Sequence, residues 1–464
     1  MLTRFTAVYR GAAALSKLVP IAVVGFLVGC GGGARPSPPT STPSGPTPSS
    51  SPTAASSFGM QCGIDDPADC QGSGATPILW PTAQAKPGML RLHDAGTHWA
   101  ALNTNGPSQY NWTSLDNWLD LIAQHEPIDV NQVFAWVPCW AATICSAPTV
   151  EPNGTNVPPS DLTASGSPSF INFVTAFVQH CSPAGNCVSD IIKYYEMWNE
   201  WDTSERWAGT PLQLYQMVAP ATAIIKQNVP NAVILTPSVT PASPTFDVDL
   251  ATWLAIENLS GKISDWVDWH LYMGATPTTT NPPEQQFENY AEKFLSQQVL
   301  SGWGNAPWAN TETNFSGATN YTCPPTQYTA DDCTGQIVRW QLLHASNGAS
   351  SLDWYKWYQT IGNNPANPQY ETAYYYMMQY MLGGKFSSGP CTATTDAAGN
   401  RVWTCDFTEA NGTTAMFVWT PNENGTSFTV PGGYVDCRDL SGNTSTVTAG
   451  APITIGVEPF LLEQ

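Results

Sequence analysis

The stretch "YYEMWNEWD", Tyr194 to Asp202, ends an apolar run on an amide and a carboxylate. Five of its nine residues are large aromatics or Met. The run that leads into it, from Ile191, has the length and composition of a buried strand. Asn199 and Glu200 follow directly and need partners if they are buried. A strand that ends on a carboxylate is typical of enzymes that place their chemistry at the C-terminal ends of barrel strands.

Strand-like and helix-like patterns alternate on both sides of this stretch, from about residue 57 to 383. The candidate strands are 58–62, 89–93, 131–137, 191–199, 232–238, 265–273, 307–313 and 351–358. The candidate helices between them include 114–125, 169–180, 211–227, 285–300 and 335–346. Eight strands in this alternation predict an α/β fold, a closed (β/α)8 TIM barrel over residues 58–383. A doubly wound open sheet is the alternative, but the Gly-rich phosphate turn that usually follows its first strand is missing.

The pattern changes at residue 384. From there to residue 464, apolar residues alternate by two and are interrupted by Asn-Gly and Gly-Gly turns. This pattern predicts a small C-terminal all-β sandwich that packs against the barrel. A separate carbohydrate-binding module is the alternative, although the few aromatics of this segment look like strand residues.

The N-terminus has the pattern of an export signal. Basic residues precede a short apolar run, 18–29, which contains Pro20 and is too short to cross a bilayer comfortably. The run ends in "LVGC", which resembles a bacterial lipobox and implies cleavage of residues 1–29 and lipidation of Cys30. An uncleaved anchor is the alternative. Residues 30–57 form a Pro/Ser/Thr-rich tether, so we expect an exported protein, lipid-anchored to a bacterial cell envelope or extracellular.

The spacing of the cysteines agrees with export. Beyond Cys30, the close pairs are Cys62 with Cys70, Cys139 with Cys145, Cys181 with Cys187, and Cys323 with Cys333. Cys391 and Cys405 flank a candidate hairpin, and the remaining Cys437 could replace either of them. Such short-range pairs predict disulfides formed in an oxidising compartment. A metal cluster is the alternative, but the chain has no CxxC pair and its six histidines are scattered.

Composition excludes one class of partner and favours another. Acidic residues outnumber basic ones 36 to 16, so the net charge of −20 excludes nucleic acid, which requires a basic face. Charged residues make up only 11% of the chain, whereas Trp occurs 19 times. This composition favours a neutral, polar, ring-shaped ligand such as a carbohydrate. We expect a monomer whose only membrane contact is the lipid anchor.

Ionisable residues occur at several predicted strand ends. The fourth strand ends at Glu200 and the seventh at Glu312, in "NTETN". The second strand ends with Arg91 and His93, and the sixth carries His270 and Tyr272. Two carboxylates on opposite sides of a barrel mouth are what glycoside hydrolysis requires, because one protonates the leaving oxygen while the other attacks the anomeric carbon.

In these positions, "MWNEW" and "WANTETN" resemble the two catalytic motifs of glycoside hydrolase clan A. "LRLHD", with Arg91 and His93, looks more like family 39 than family 5. The resemblance covers the barrel and the trailing β-domain, and it implies a retaining glycosidase that needs no cofactor and no metal. Glu200 is then the acid/base and Glu312 the nucleophile. One departure is Trp201, where many clan members have Pro after the first Glu.

The resemblance also implies roles for the neighbouring side chains. Asn199 would bind the sugar 2-hydroxyl, Tyr272 would hold Glu312, and Arg91 and His270 would orient the pocket. His93 is a further candidate for substrate binding, with a buried core histidine as the alternative. Aromatic rings suit the apolar face of a pyranose, so the candidate stacking surfaces are Trp136, Trp140, Trp354 and Trp357. A setting rich in tryptophan has a low dielectric constant, so we expect the pKa of Glu200 to be raised. Glu196 shares the face of Glu200 and is expected to be a structural carboxylate.

Two other function classes are compatible with the same composition. A non-catalytic carbohydrate-binding surface lipoprotein would keep the tryptophans and lose a carboxylate, whereas this chain has both carboxylates. A structural surface protein with an incidental barrel is the third interpretation. Fold does not determine the sugar, the linkage or the choice between exo and endo action.

Overall fold

A computed structural model of the chain describes residues 58–61, 87–125, 128–145, 153–273, 282–315, 323, 330–355, 357, 360–362, 364 and 366–464. The predictions for the leader, for the lipidated Cys30, for the tether and for the Cys62–Cys70 pair lie outside these residues. The helices are α1 (Trp99–Leu102), α2 (Thr113–His125), α3 (Pro168–Val178), α4 (Val188–Ile191), α5 (Pro211–Asn228), α6 (Phe246–Ser260), α7 (Pro283–Leu300), α8 (Ala330–Ser346) and α9 (Gln369–Met381).

The first ten strands precede residue 355. They are β1 (Phe58–Gln61), β2 (Met89–Leu92), β3 (Asp129–Val133), β4 (Val137–Pro138), β5 (Gly154–Thr155), β6 (Tyr194–Glu196), β7 (Val233–Leu235), β8 (Val267–Trp269), β9 (Trp308–Thr313) and β10 (Ala349–Trp354). The others are β11 (Lys385–Phe386), β12 (Thr392–Thr395), β13 (Arg401–Thr408), β14 (Thr414–Trp419), β15 (Thr426–Thr429), β16 (Asp436–Arg438), β17 (Thr444–Thr446), β18 (Pro452–Ile455) and β19 (Phe460–Glu463).

Eight of these strands pair in parallel, in the order β7-β6-β3-β2-β1-β10-β9-β8. Isolated parallel bridges join Leu235, the last residue of β7, to Trp266, and join Val239 to Trp269, the last residue of β8. The two ends of the order therefore meet, and the eight strands form a closed ring. Because the strands are parallel, their C-terminal ends share one edge, which we call the mouth of the ring.

Helices cover the outside of the ring because their apolar faces match those of the strands. On α3, the aromatic residues recur at helical spacing, and Phe170, Phe173 and Phe177 all pack against Phe134. Phe134 also stacks on Tyr195 of β6, with ring centroids 6.3 Å apart. The α/β class predicted from the alternating patterns is therefore confirmed.

The strands are shorter than their apolar runs. The run 191–199 contains only three strand residues, Tyr194 to Glu196, because Val188–Ile191 forms a short helix before the strand and Met197 onward leaves the ladder. Helix boundaries follow their capping residues more closely. At the start of α5, the Thr210 hydroxyl accepts from Gln213 N–H while the Gln213 side chain accepts from Thr210 N–H.

The C-terminal segment is antiparallel. Its larger sheet has the order β11-β13-β14-β19-β16-β17, with β12 paired to β13, and β15 pairs with β18 in a second sheet. A small apolar cluster joins the two sheets, and its members include Val402, Val418, Val430, Ile455 and Leu462. Asn-Gly turns follow the predicted pattern, since Gly412 and Gly425 both have positive φ angles.

This segment packs closely on the helices of the ring. Trp419 Nε1 on β14 donates to Glu284 Oε1 on α7 over 2.7 Å, and Arg339 Nη1 on α8 pairs with the same oxygen at 3.1 Å. A Cβ placed on Gly335 of α8 would come within 2.2 Å of the Val457 carbonyl oxygen. A buried tryptophan and a glycine contact thus hold the C-terminal segment against α7 and α8, which the ion pair joins to each other.

Four of the five predicted cysteine pairs lie in the described residues, and all four are disulfides: Cys139–Cys145, Cys181–Cys187, Cys323–Cys333 and Cys391–Cys405. Cys437 is a free thiol buried in the C-terminal sheet. The disulfides indicate an oxidising environment. Among the described helices, none is both long and apolar enough to cross a bilayer.

Candidate active site

The chain leaves the ladder after Glu196, and Glu200 follows in a left-handed backbone conformation, with a φ of +44°. That conformation is rare for a residue with a side chain and is often found at functional sites. Two contacts fix it: Glu200 N–H donates to Ser238 Oγ over 2.9 Å, and the Glu200 carbonyl accepts from Thr203 Oγ1 over 3.0 Å. The Glu200 side chain therefore points from a fixed but irregular segment at the mouth of the ring.

Glu312 lies within β9, one residue before the strand ends. Its two carboxylate oxygens have different partners. Tyr272 Oη donates to Oε1 over 2.5 Å, and Arg91 Nη1 lies 2.7 Å from Oε2. Donors on both oxygens fix the orientation of the carboxylate.

The two carboxylates meet at His270. Its Nδ1 lies 3.0 Å from Glu200 Oε1 and 3.9 Å from Glu312 Oε2. One oxygen of each carboxylate and a ring nitrogen of His270 all lie within 4.8 Å of one another. Residues that are 112 positions apart in the sequence are thus brought to opposite sides of one small space.

Arg91, on β2, is completely buried and connects this pair to the interior of the ring. Its Nε and Nη2 contact both oxygens of Glu196, at 2.8 and 2.9 Å, and Nη2 also donates to Asn199 Oδ1 over 2.8 Å. Nη2 lies 3.2 Å from His270 Nε2. Glu196 also accepts from Ser238 Oγ over 2.9 Å, so it acts as a buried anchor for the side chains around it.

The charges of these groups are strongly coupled. Burial disfavours a charged imidazole, but the carboxylate of Glu312 and hydrogen bonds with Glu196 and Glu200 outweigh it and raise the pKa of His270 to about 10. Burial likewise disfavours the Glu196 carboxylate, but the charge of Arg91 and a hydrogen bond with His270 hold its pKa well below the usual range. Burial raises the pKa of Tyr272, and the Glu312 charge raises it further, so its phenol stays protonated.

The expectation of a raised pKa at Glu200 is wrong for this structure. Burial acts in the expected direction, but the hydrogen bond and the positive charge of His270, followed by the charges of Arg206 and Arg91, outweigh it and lower the pKa of Glu200. Arg206 Nε lies 3.6 Å from Glu200 Oε2. In the structure without ligand, Glu200 is therefore an ionised carboxylate between two cations.

His93 follows β2 directly, and its ring contacts lie away from Glu200 and Glu312. Its Nδ1 lies 3.2 Å from His98 Nε2, and its Nε2 lies 3.7 Å from Asp94 Oδ1. Burial, followed by the charge of Arg91, lowers the pKa of His93 well below its usual value, so the ring is neutral. Asp94 has a φ of +54° and accepts from Tyr355 Oη over 3.2 Å.

The four candidate stacking tryptophans differ in exposure. Trp354 and Trp357 are completely buried, and Trp357 packs edge-on against Tyr374 with centroids 4.8 Å apart. These two indoles thus have no face open to a ligand in this structure. Trp140 is half-buried and donates through Nε1 to the Asn103 carbonyl over 2.6 Å. Trp136 is 3% exposed, and the guanidinium of Arg206 lies over its ring at 5.3 Å.

Sequence reasoning missed three contributors to this site. Ser238 follows β7 and holds both Glu196 and the backbone of Glu200. Thr311 precedes Glu312, and its hydroxyl donates to Asp268 Oδ2 over 2.8 Å while lying 3.2 Å from His270 Nε2. Arg206 occurs in "WDTSERW", where a basic residue in an acidic chain was an available signal. The position of Ser238 after a strand was a signal of the same kind as that of Glu200.

Within the described ranges, side chains that could hold a metal ion occur in three groups: His93 with Asp94 and His98, Glu196 with Asp268 and His270, and Glu200 with His270 and Glu312. A histidine must be neutral to bind a metal. The raised pKa of His270 keeps a proton on its ring at neutral pH. A metal in either group that contains His270 would therefore have to displace that proton.

Comparison with known proteins places the fold. No family model and no curated protein matches the sequence. A glucosidase from Croceicoccus marinus superposes with a TM-score of 0.55 at 14% identity, covering 89% of this chain and 96% of that one. A family 39 glycoside hydrolase from Bacteroides cellulosilyticus WH2 gives a TM-score of 0.56 at 15% identity, covering 82% and 76%. A family 51 α-L-arabinofuranosidase from Bifidobacterium longum gives a TM-score of 0.54 at 11% identity, covering 89% and 96%.

These three proteins are glycoside hydrolases, and the chain has their fold. The likeness to clan A predicted from "MWNEW", "WANTETN" and "LRLHD" is therefore supported at the level of structure. Identities of 11–15% do not carry a substrate or a reaction across to this chain.

Proposed function

We propose that this protein is a retaining glycoside hydrolase that cleaves O-glycosidic bonds in a β-linked oligo- or polysaccharide. The strand ring would be its (β/α)8 catalytic barrel over residues 58–383, followed by a β-sandwich over 384–464. The observation that carries the proposal is the pair of carboxylates at the mouth, with oxygens of Glu200 and Glu312 within 4.8 Å of each other. Retaining enzymes place the two carboxyl groups about 5–5.5 Å apart, whereas inverting enzymes leave room for a water molecule, at about 6.5–9.5 Å.

Glu312 is the group we assign as nucleophile. It is held at both oxygens, by Tyr272 and Arg91, inside a regular strand. A carboxylate held in this way can attack the anomeric carbon without first reorganising its surroundings. The attack forms a glycosyl ester on Glu312 and expels the leaving-group oxygen.

Glu200 is the group we assign as acid/base, and it must carry a proton when the leaving group departs. His270 is protonated and contacts Glu200 Oε1 at 3.0 Å. Conversion of Glu312 to an ester removes the charge that does most to raise the pKa of His270. As this charge is lost during the attack, His270 can pass its proton through Glu200 to the leaving-group oxygen. Glu200 is left as a carboxylate, which then takes a proton from the water that hydrolyses the ester.

Other residues would bind or position the sugar. Asn199 and Tyr272 lie beside the carboxylate pair, and Arg91 connects them to it. His93 is placed farther along the same strand end, next to His98. Stacking is proposed for Trp136 and Trp140, whereas Trp354 and Trp357 support the site from the interior.

We also propose that the enzyme is exported and anchored to the cell envelope through a lipid on Cys30. The disulfides support an oxidising location. The lipobox-like "LVGC" supports the anchor. Mass spectrometry of membrane-extracted protein should find a mature chain that begins at a lipidated Cys30, and a mature chain that retains residues 1–29 would contradict the anchor.

Turnover tests the glycosidase proposal against its alternatives. The purified protein and its Glu312→Ala variant are incubated with a panel of aryl β-glycosides and of plant and microbial polysaccharides. Release of product by the wild type alone supports the proposal. Micromolar binding without turnover by the wild type would instead support a carbohydrate-binding lipoprotein, and neither binding nor turnover would support a structural surface protein.

A further inference from the structure

Arg206 has an unusual position at the mouth of the ring. It follows Glu200 by six residues, and its guanidinium lies between Glu200 Oε2, at 3.6 Å, and the ring of Trp136, at 5.3 Å. Its backbone is fixed, since its carbonyl accepts from Trp198 Nε1 over 3.1 Å. The side chain is not fixed in the same way, because 28% of it is exposed and no described residue forms a hydrogen bond with its Nη atoms.

The aromatic face that Arg206 covers belongs to Trp136. The residue has a φ of +57°, a backbone conformation that costs on the order of 1–3 kcal/mol for a side-chain-bearing residue. The Arg206 guanidinium lies over its indole at 5.3 Å, and the residue is only 3% exposed. An aromatic face held at this cost beside a catalytic carboxylate suits a sugar ring, and the guanidinium occupies the place that the sugar would take.

The same guanidinium also acts on Glu200. His270 contacts Oε1 of Glu200, on the side of Glu312, while Arg206 faces Oε2 on the other side. A second cation beside the carboxylate favours its ionised form and so opposes its task as an acid. Removing Arg206 from Oε2 would thus have two effects, since it would free the Trp136 face and ease protonation of Glu200.

We propose that the Arg206 side chain is a displaceable cation, and that a sugar bound on Trp136 in the leaving-group subsite moves it away from Glu200 and so favours protonation of the acid. This coupling rests on the glycosidase proposal and adds the leaving-group subsite to it. The enzyme would hold its acid ready only when the leaving-group side is occupied. Arg206 is therefore a positioning residue, which acts through Glu200 rather than on the sugar bond.

Other charged groups face Glu200 and must be kept constant in any test. His270 and Arg91 are cations on the inner side, and Glu312 is the opposing carboxylate. Asp202 lies two residues on; burial, together with the charge of Glu200, raises its pKa to about 7 despite a hydrogen bond from Thr240 N–H. In the part of the chain that the structure describes, only Arg206 combines contact with Glu200, partial exposure and cover of an aromatic face.

The test compares two pH profiles of the full-length enzyme on a disaccharide substrate identified in the turnover panel. The basic limb of the kcat/KM profile reports the pKa of the catalytic acid in the free enzyme. The basic limb of the kcat profile reports the pKa of the same acid in the enzyme–substrate complex. We expect the wild-type limb in kcat to lie about 1 pH unit above that in kcat/KM, because the bound sugar has removed a cation from Glu200. In Arg206→Gln the kcat/KM limb should move up to meet the kcat limb, so that the separation disappears.

Two further variants serve as controls. Arg206→Lys keeps the charge and should restore most of the separation between the limbs. Lys262→Gln also removes a cation that lies over a tryptophan, at 3.8 Å from the ring of Trp303, and should leave both limbs where they are.

The outcomes separate this proposal from the one it rests on. The coupling would be overturned, and the glycosidase proposal left intact, by either of two results. In one, the wild type hydrolyses the substrate but its kcat and kcat/KM profiles have the same basic limb. In the other, Arg206→Gln keeps the wild-type separation between the two limbs. Absence of hydrolysis on every glycoside of the panel would overturn both.

Discussion

Glu200 and Glu312 face each other at one mouth, yet the backbone beneath them differs. Glu312 lies inside β9, where the ladder fixes its main chain, and Tyr272 and Arg91 occupy its two oxygens. Glu200 lies four residues beyond the end of β6 in a left-handed conformation and is held by Ser238 and His270. A regular strand suits a group that must attack along one line. An irregular segment suits a group whose protonation must change twice in one cycle.

The largest effect should follow from removing the group in the regular strand. Glu312→Ala should lower kcat by on the order of 10⁴-fold or more, because it removes the carboxylate that forms the ester. Added azide should restore turnover and give a glycosyl azide of inverted configuration, identified by NMR. Azide rescue with retained configuration would exchange the roles of the two carboxylates.

Removing the group in the irregular segment should have a smaller effect that depends on the leaving group. Glu200→Ala should slow poor leaving groups by about 10²–10⁴-fold, because general acid catalysis contributes that much. Good phenolate leaving groups need little protonation, so the first step should survive as a burst while hydrolysis of the ester slows. Azide should then give a product of retained configuration. Equal losses on good and poor leaving groups would count against an acid role.

The tyrosine that supports Glu312 should matter less than either carboxylate. Tyr272→Phe removes the donor to Glu312 Oε1 and should lower kcat by about 10²-fold, the scale of a misplaced catalytic group. A matched control is Tyr380→Phe, which removes a hydroxyl that donates to the Asp439 carbonyl in the C-terminal segment and should leave kcat unchanged. If Tyr272→Phe raised KM and left kcat unchanged, the tyrosine would have a role in sugar binding.

The smallest expected effect concerns stability and pH. The pKa of His270 is raised from 6.5 to about 10 on folding, so its charge stabilises the folded state fully below pH 6.5, and this contribution is lost as the pH rises through 10. The free energy of unfolding should therefore fall more between pH 7 and pH 10 in the wild type than in His270→Gln. Urea denaturation at several pH values measures both slopes, and parallel curves would show that His270 is not charged in the folded protein.

Much of the fold followed from local pattern. The alternation of strands and helices predicted the α/β class, and α5 and α7 begin and end within two residues of their predicted limits. The strands were predicted too long. In the run 191–199 an apolar pattern cannot distinguish a buried strand from the buried turn and loop beside it, since all three face the same core.

The sequence could predict those site residues whose position at the end of a strand brings them to the mouth of the ring. Glu200, Glu312, Arg91 and His270 all come to the mouth because parallel strands end at one edge. The charge state of Glu200 was not predictable in this way. It depends on His270, 70 residues away in the sequence, and on Arg206, whose side chain folds back over Trp136. Burial of Trp354 and Trp357 likewise depends on packing that composition does not reveal.

The anomeric configuration of the first product tests the central claim most directly. Proton NMR during the first minutes of hydrolysis, before mutarotation, distinguishes the two anomers of the released sugar. The account predicts the anomer of the substrate, because Glu312 attacks first and water then attacks the ester from the opposite face. The inverted anomer from the wild-type enzyme would contradict it, since Glu312 would then act as a base on water.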